Sequence, residues 1–263
     1  LVCALEGGSA HDVALTLRGE LSQFPLRATS AAERARGEFR VAGRIADGKL
    51  NYSPANRAPD GVAPLWPQAE RINGSFVFDR VRMEIKADSA ATLGVALSNV
   101  KAVVADLGAT DKLLEIDGAA AGPLQEFLRY VPASPVAGWI GHFLDDTRAT
   151  GNAKLALKLQ LPLSHLPDTR VQGSLQLLNN EVVLFNDMPP VQAATGKVEF
   201  WERGVNLNAV GGTFVGGPLA LAGGTQRDGA IQIRMGGAVS ADGVRKTFPS
   251  PAMQRLASHL SGA

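Results

Sequence analysis

Apolar side chains recur at every second position along most of this chain, the spacing that places them on one face of a β-strand. Val13, Leu15 and Leu17 alternate in this way, as do Val81, Met83 and Ile85, and then Leu93, Val95 and Leu97. A longer run follows at Leu155, Leu157, Leu159, Leu161 and Leu163. Val205, Leu207 and Ala209, then Leu219 and Leu221, then Ile231, Ile233 and Met235 continue the pattern. The positions between are often charged, as in VRMEIKA at Val81–Ala87, so each strand is expected to keep one dry face. Turn signals separate the runs: ADGK at Ala46–Lys49, ERG at Glu202–Gly204 and QRDGA at Gln226–Ala230. Connections this short predict antiparallel hairpins rather than parallel βαβ units.

Helical periodicity is confined to a few segments. SPVAGWIGHFLDD offers Ser134 as N-cap and Pro135 at the first helical position, and spaces Val136, Trp139, Ile140, Phe143 and Leu144 along one stripe. SPAMQRLASHL begins the same way at Ser250 and Pro251 and sets Leu256 and Leu260 at corresponding places. A shorter apolar patch precedes each: LQEFLRYV at Leu124–Val131, and VRKTF at Val244–Phe248. Helices are therefore expected at about 124–146 and about 250–260.

The chain also repeats itself. WPQAERINGSFVF at Trp66–Phe78 returns 122 positions later as MPPVQAATGKVEF at Met188–Phe200, with Pro67, Gly74 and Phe78 matching Pro189, Gly196 and Phe200. Met83 and Ile85 match Val205 and Leu207, Leu97 matches Leu219, and Leu114 and Ile116 match Ile231 and Ile233 after a small shift. Upstream, VAGRIADGKLNY at Val41–Tyr52 answers VQGSLQLLNNEVVL at Val171–Leu184. The reading is of two units, 1–150 and 151–263, each several strands followed by an amphipathic helix. Trp66–Pro67 is expected to end one strand and Gly74 to open the next. Repeats of about 120 residues exceed the short solenoid classes, but stacked copies can still build one continuous sheet or groove.

Composition narrows the functions open to such a sheet. Lys+Arg of 26 against Asp+Glu of 25 gives a formal charge of +1, which provides no bulk field for nucleic acid. The one cysteine, Cys3, rules out an internal disulfide framework and a thiolate cluster. No apolar run approaches the roughly 18 to 20 residues that cross a bilayer, and the start LVCALEGG reads as the inside of something longer. The histidines, His11, His142, His165 and His259, show no HxH or HExxH spacing. GGTFVGGP at Gly211–Pro218 has no following Lys-Ser/Thr and reads as a strand turn or bulge, and Asp145–Asp146 project about 100° apart on a helix. No reaction is organised here, so neither an enzyme nor a cofactor is expected.

What stands out is the number of strands with an aliphatic face in a chain with 6% aromatic residues. Periodicity alone leaves two readings: a filled sandwich core, or a sheet with an open apolar groove suited to acyl chains.

The order of motifs adds a resemblance. INGSFVFDRVRMEIKADSAATLGVALSNV, the DG.A.GP segment at Asp117–Pro123, the Ser-Pro helix start, LKLQLPL at Leu157–Leu163 and GG.FVGGPL at Gly211–Leu219 occur in a sequence that closely resembles the YhdP family of AsmA-like proteins. The resemblance spans nearly the whole chain. It implies a mainly β protein, a long curved antiparallel sheet forming a groove or taco-like open tube from repeated units, with a few short amphipathic helices. It further implies a periplasmic segment of a Gram-negative envelope protein, anchored in the inner membrane through parts absent from this sequence, with phospholipid as its partner. Its role would be shielding acyl chains during inner-to-outer membrane transport and so maintaining the outer-membrane barrier. A structural spacer is the alternative.

On that reading the lining of the first unit is Phe76, Phe78, Val81, Met83, Ile85, Leu93, Val95, Leu97, Leu114 and Ile116. In the second it is Leu155, Leu157, Leu159, Leu161, Val198, Phe200, Val205, Leu207, Leu219, Leu221, Ile231 and Ile233. The helices are expected to act as plugs, lids or edge covers.

Overall fold

A computed structural model describes residues 5–26, 30–51, 61–62, 64–140, 142–165 and 168–248. The alternating segments form strands β1 (Leu5–Arg18), β2 (Glu38–Leu50), β3 (Ala69–Asp79), β4 (Arg82–Thr92), β5 (Val95–Val104) and β6 (Leu113–Pro123). After them come β7 (Arg148–Pro162), β8 (Arg170–Val183), β9 (Val191–Trp201), β10 (Gly204–Phe214), β11 (Gly217–Thr225) and β12 (Ile231–Gly237). The helices are short: α1 (Ala31–Arg36), α2 (Leu124–Tyr130), α3 (Val136–Trp139) and α4 (Ala241–Thr247). All twelve strands belong to one sheet in which each pairs with its neighbours in sequence, and β1 and β12 are its edges. The sheet is open and mainly β as expected, and among the described residues no second sheet faces it as a sandwich would require.

Contacts divide the chain into two compact units, Leu1–Ala120 with Ala156–Gln172, and Ala121–Leu155 with Gly173–Ala263. Corresponding strands recur inside them. β3 and β4 return as β9 and β10, with both ends of each strand 122 positions on. The tight turn between β4 and β5 holds Leu93 and Gly94 at positive φ, and the turn between β10 and β11 does the same with Val215 and Gly216. Two successive positive φ values give the turn twist that matches paired strands, which is why glycine occupies the second place in both.

Three readings of strand ends and turns need correction, the first being Trp66–Pro67, which lies between β2, ending at Leu50, and β3, beginning at Ala69, rather than at the end of a strand. ADGK is no turn: β2 runs through it, and Asp47 sits at positive φ as a bulge whose amide donates to Asn73 Oδ1 at 3.2 Å. Gly74 does not open a strand either. It lies within β3, where a Cβ would collide with the Lys86 carbonyl oxygen, so glycine is set by close approach of β4.

The helix expected over 124–146 is two pieces. α2 ends at Tyr130, and Ser134, instead of capping a helix, donates its hydroxyl to the Val131 carbonyl at 3.0 Å. α3 is limited to Val136–Trp139, where Gly138 costs about 1 kcal/mol of helix propensity relative to alanine. The helix expected over 250–260 lies outside the described residues. α4 precedes it over most of the VRKTF patch, with Ser240 accepting from the Gly243 amide at 2.9 Å as its N-cap.

Candidate functional site

Strand register shows which side chains share a face, because directly opposed residues in an antiparallel pair project the same way. In the first unit Leu15 opposes Val41, Val41 opposes Phe78, Phe78 opposes Met83, and Met83 opposes Val104. The next rung runs from Gly43 through Phe76 and Ile85 to Ala102. Phe76 lies across Gly43, where a Cβ would meet the ring at 2.9 Å, so the glycine lets the aromatic lie along the sheet. Lys158 pairs with Asp117 at 3.5 Å and Gln160 bonds Glu115 at 3.3 Å on the opposite face. Alternation then puts Leu157, Leu159 and Leu161 on the apolar face with Leu114 and Ile116.

The second unit repeats the arrangement. Phe200 opposes Val205, and Val198 opposes Leu207. Leu207 opposes Gly223, Val210 opposes Leu221 and Gly212 opposes Leu219. These rungs pass to β12, where Gly223 opposes Ile233, Leu221 opposes Met235 and Thr225 opposes Ile231. Phe200 covers Gly173 as Phe76 covers Gly43.

One end of this face is filled. Leu124 of α2 is buried in a cluster with Ala149, Ala153, Leu177, Val191, Ala194, Val210 and Leu219, against which Phe127 and Leu128 also pack. Gln125 fastens the helix by accepting from the Ala149 amide at 2.8 Å. Three alanines in the cluster leave room for the helix to approach. Beyond α2 the face is open: Ile231, Ile233 and Met235 are 61%, 46% and 62% exposed. Leu15 on β1 is 64% exposed. Most apolar side chains on the central strands, Phe76, Phe78 and Phe200 among them, are half-buried, whereas a closed core buries such groups completely.

The opposite face is polar. Glu84 meets Arg82 at 3.1 Å, Lys86 at 3.3 Å and Lys101 at 3.7 Å. Its hydrogen bond to Arg82 holds the carboxyl below the ordinary glutamate range; partial burial opposes this, and Lys86 and Lys101 reinforce it. A depressed folded value means the ionised form stabilises the fold above the ordinary glutamate pKa, and that stability is lost as pH falls through the folded value. A Glu84→Gln variant is therefore expected to melt lower than the parent at neutral pH, by under about 1 kcal/mol of stability. The two melting curves should converge in acid. A gap that persists unchanged in acid would exclude an ionic origin.

The sequence-read lining distributes as follows. Phe76, Phe78, Ile85, Leu97, Leu114, Ile116, Leu155, Leu157, Leu159, Leu161, Val198, Phe200, Val205, Leu207 and Leu221 are half-buried strand residues. Met83, Val95 and Leu219 are buried, and Ile231 and Ile233 are exposed. Val81 and Leu93 lie in hairpin turns rather than in strands. Register adds residues that were passed over, Leu15, Val41, Val104, Val210 and Met235. Alternation already marked Leu15 and Met235, but nothing local tied them to the same face as Phe78 or Leu221. Among the described residues there is no group of three or more His, Cys, Asp or Glu side chains placed to hold a metal, and no helix long and apolar enough to cross a membrane.

An open antiparallel sheet with one apolar face, partly covered by a helix and partly accessible, defines the class. The chain belongs to the YhdP family: the family's model, described as YhdP protein, matches residues 1–263. The resemblance read from motif order is thereby borne out. The chain is 24% identical over 216 residues to the intermembrane phospholipid transporter YhdP of Escherichia coli (strain K12), covering 82% of this chain and 16% of that protein. The chain thus spans about a sixth of the length of that curated relative. No solved structure gives a significant match.

Proposed function

We propose that this chain is a non-catalytic segment of a phospholipid-transporting envelope protein, and that the apolar face of its sheet shields acyl chains from water. The observation that carries the reading is the set of continuous cross-strand rungs of Phe, Leu, Ile, Val and Met, whose large side chains stay half-buried or exposed beyond α2. Covering such a face with an acyl chain stabilises it by about 0.8 kcal/mol per buried methylene, so ten methylenes offset roughly 8 kcal/mol of the cost of leaving a bilayer. A headgroup is better solvated in water than against those aliphatic rungs. The name of the Escherichia coli relative supports phospholipid as the cargo and the space between two membranes as the location. On this reading the full-length protein is anchored in the inner membrane, crosses the periplasm and maintains the outer-membrane barrier.

Site-specific photocrosslinking in cells tests the reading. A crosslinking residue at Val205, Leu221 or Ile233 is expected to capture phospholipid. The same residue at Leu177 or Val191, beneath α2, or at Lys86, on the polar face, should capture little. Equal capture at all six positions, or capture at none, would favour a spacer without a lipid path.

A further inference from the structure

The polar face of the second unit carries a feature that the lipid reading does not use. Trp201, Gly204, Glu199 and Asn206 share this face by register, since Trp201 opposes Gly204, Glu199 opposes Asn206, and Asn206 in turn opposes Gly224. Glu199, Trp201 and Asn206, together with Val205, Gly223, Gly224, Thr225 and Gln226, line a cavity of about 380 Å³. The indole of Trp201 lies across Gly204, where any Cβ would collide with it, yet the residue remains 42% exposed. The floor is bare backbone: a Cβ on Gly224 would strike the Val205 carbonyl oxygen.

The walls are ordered before any ligand arrives. Lys197 donates to Glu199 Oε1 at 2.7 Å, Asn208 donates to Glu199 Oε2 at 2.7 Å, and Asn206 donates to Asn208 Oδ1 at 3.0 Å. The Lys197 and Asn208 bonds hold the Glu199 carboxyl below the ordinary glutamate range. Gln226 donates its amide to the Gly224 carbonyl at 3.0 Å. This leaves Asn206 Oδ1 and Gln226 Oε1 as acceptors without a partner among the described residues, beside a carboxylate with spare lone pairs.

We propose that this cavity is a saccharide-binding site, in which the C–H face of a pyranose ring stacks on Trp201 and its hydroxyls donate to Glu199, Asn206 and Gln226. Three features select that class. An exposed indole presents a flat face of negative potential, which suits the polarised C–H groups of a sugar. The charge of Glu199 is balanced by Lys197 at 2.7 Å, which removes the excess that an ionic ligand would require. The acceptors are several, and β9 to β11 spans roughly 10 Å, the width of a substituted pyranose. Trp201, Glu199 and Asn206 project from the face opposite the acyl-chain surface, so the proposal stands independently of the lipid reading, although the cavity rim also includes Val205, Gly223 and Thr225 of the apolar rungs.

The test follows the Trp201 indole N–H resonance, identified by its absence in Trp201→Ala, while glucose, N-acetylglucosamine and β-1,4-linked N-acetylglucosamine oligomers are titrated into the protein. A saturable shift with at least one of these sugars is expected. Calorimetry should then show binding lost in Trp201→Ala and weakened at least tenfold in Asn206→Ala and in Gln226→Ala, with melting curves checking that each variant is folded. The proposal is overturned if no sugar shifts the resonance, or if Trp201→Ala binds as tightly as the parent. It is overturned equally if short-chain phosphatidylethanolamine shifts the resonance and no sugar does.

Discussion

A Leu207→Asp variant is expected to purify with at least tenfold less bound phospholipid than the parent, as measured by native mass spectrometry and by extraction. Leu207 lies between Val198 on β9 and Gly223 on β11, so a carboxylate here interrupts two neighbouring strands of the apolar face at once. An acyl chain crossing it would have to strip water from an unpaired charge, at a cost of several kcal/mol, and each 1.4 kcal/mol is a factor of ten in occupancy. Leu207→Met keeps the volume and the apolar character and should retain lipid. Gln232→Glu adds the same charge on the opposite face, beside Gly224, and should also retain it. If Leu207→Asp keeps its lipid while folding normally, cargo does not travel over this face.

The second large effect concerns Asn180, among the described residues the one polar residue that is 0% exposed. Its Oδ1 accepts from the Leu178 amide at 2.7 Å, and its amide donates to the Thr150 and Asn152 carbonyls at 2.9 and 3.1 Å. These bonds close the gap at a bulge where Asn179 takes positive φ and Gly151 approaches too closely for a side chain. Asn180→Ala would remove the side-chain partner of three backbone groups at the bulge. Unmet groups of this kind cost about 1 to 3 kcal/mol each before water or relaxation recovers part of it, so a loss of roughly 3 kcal/mol is expected in urea unfolding. Asn180→Asp keeps the acceptor but loses both donated bonds, and should be destabilised as well. An Asn180→Ala variant that unfolds at the parent's midpoint would show that water satisfies the bulge.

Much of the fold was legible locally. The hairpins at Glu202–Gly204 and Gln226–Ala230 stand where short polar turns interrupt alternation, and the strands on both sides follow from their period of two. The phrase at Trp66–Phe78 and its copy at Met188–Phe200 anticipated a repetition that extends to strand ends. Asp47 misled because Asp-Gly is the composition of a hairpin turn and also of a bulge, and only the Asn73 side chain across the ladder separates them. Ser134 misled because Ser-Pro before an apolar stripe is a helix start in isolation, whereas here the hydroxyl goes back to Val131.

By itself the sequence determined which residues share a face within each run between bulges, since the pleat turns alternate side chains to opposite sides; across a bulge it did not, and Val210 rather than Ala209 continues the face of Leu207. It also determined the β3–β4, β4–β5, β9–β10 and β10–β11 hairpins, whose connections are too short for crossovers, whereas the long β1–β2, β2–β3 and β6–β7 connections left their pairing to the tertiary structure. Tertiary structure decided how much of that face is covered. Leu207 read as an inward aliphatic and Leu177 was not singled out, yet Leu177 lies in the buried cluster with Leu124 of α2 while Leu207 packs at its margin. No local pattern distinguishes them, because burial depends on where a helix distant in sequence comes to rest. The polar cavity beside Trp201 is of the same kind: Trp201 and Glu199 come from β9, Asn206 from β10 and the glycine floor from β11, and these three strands meet only through their register.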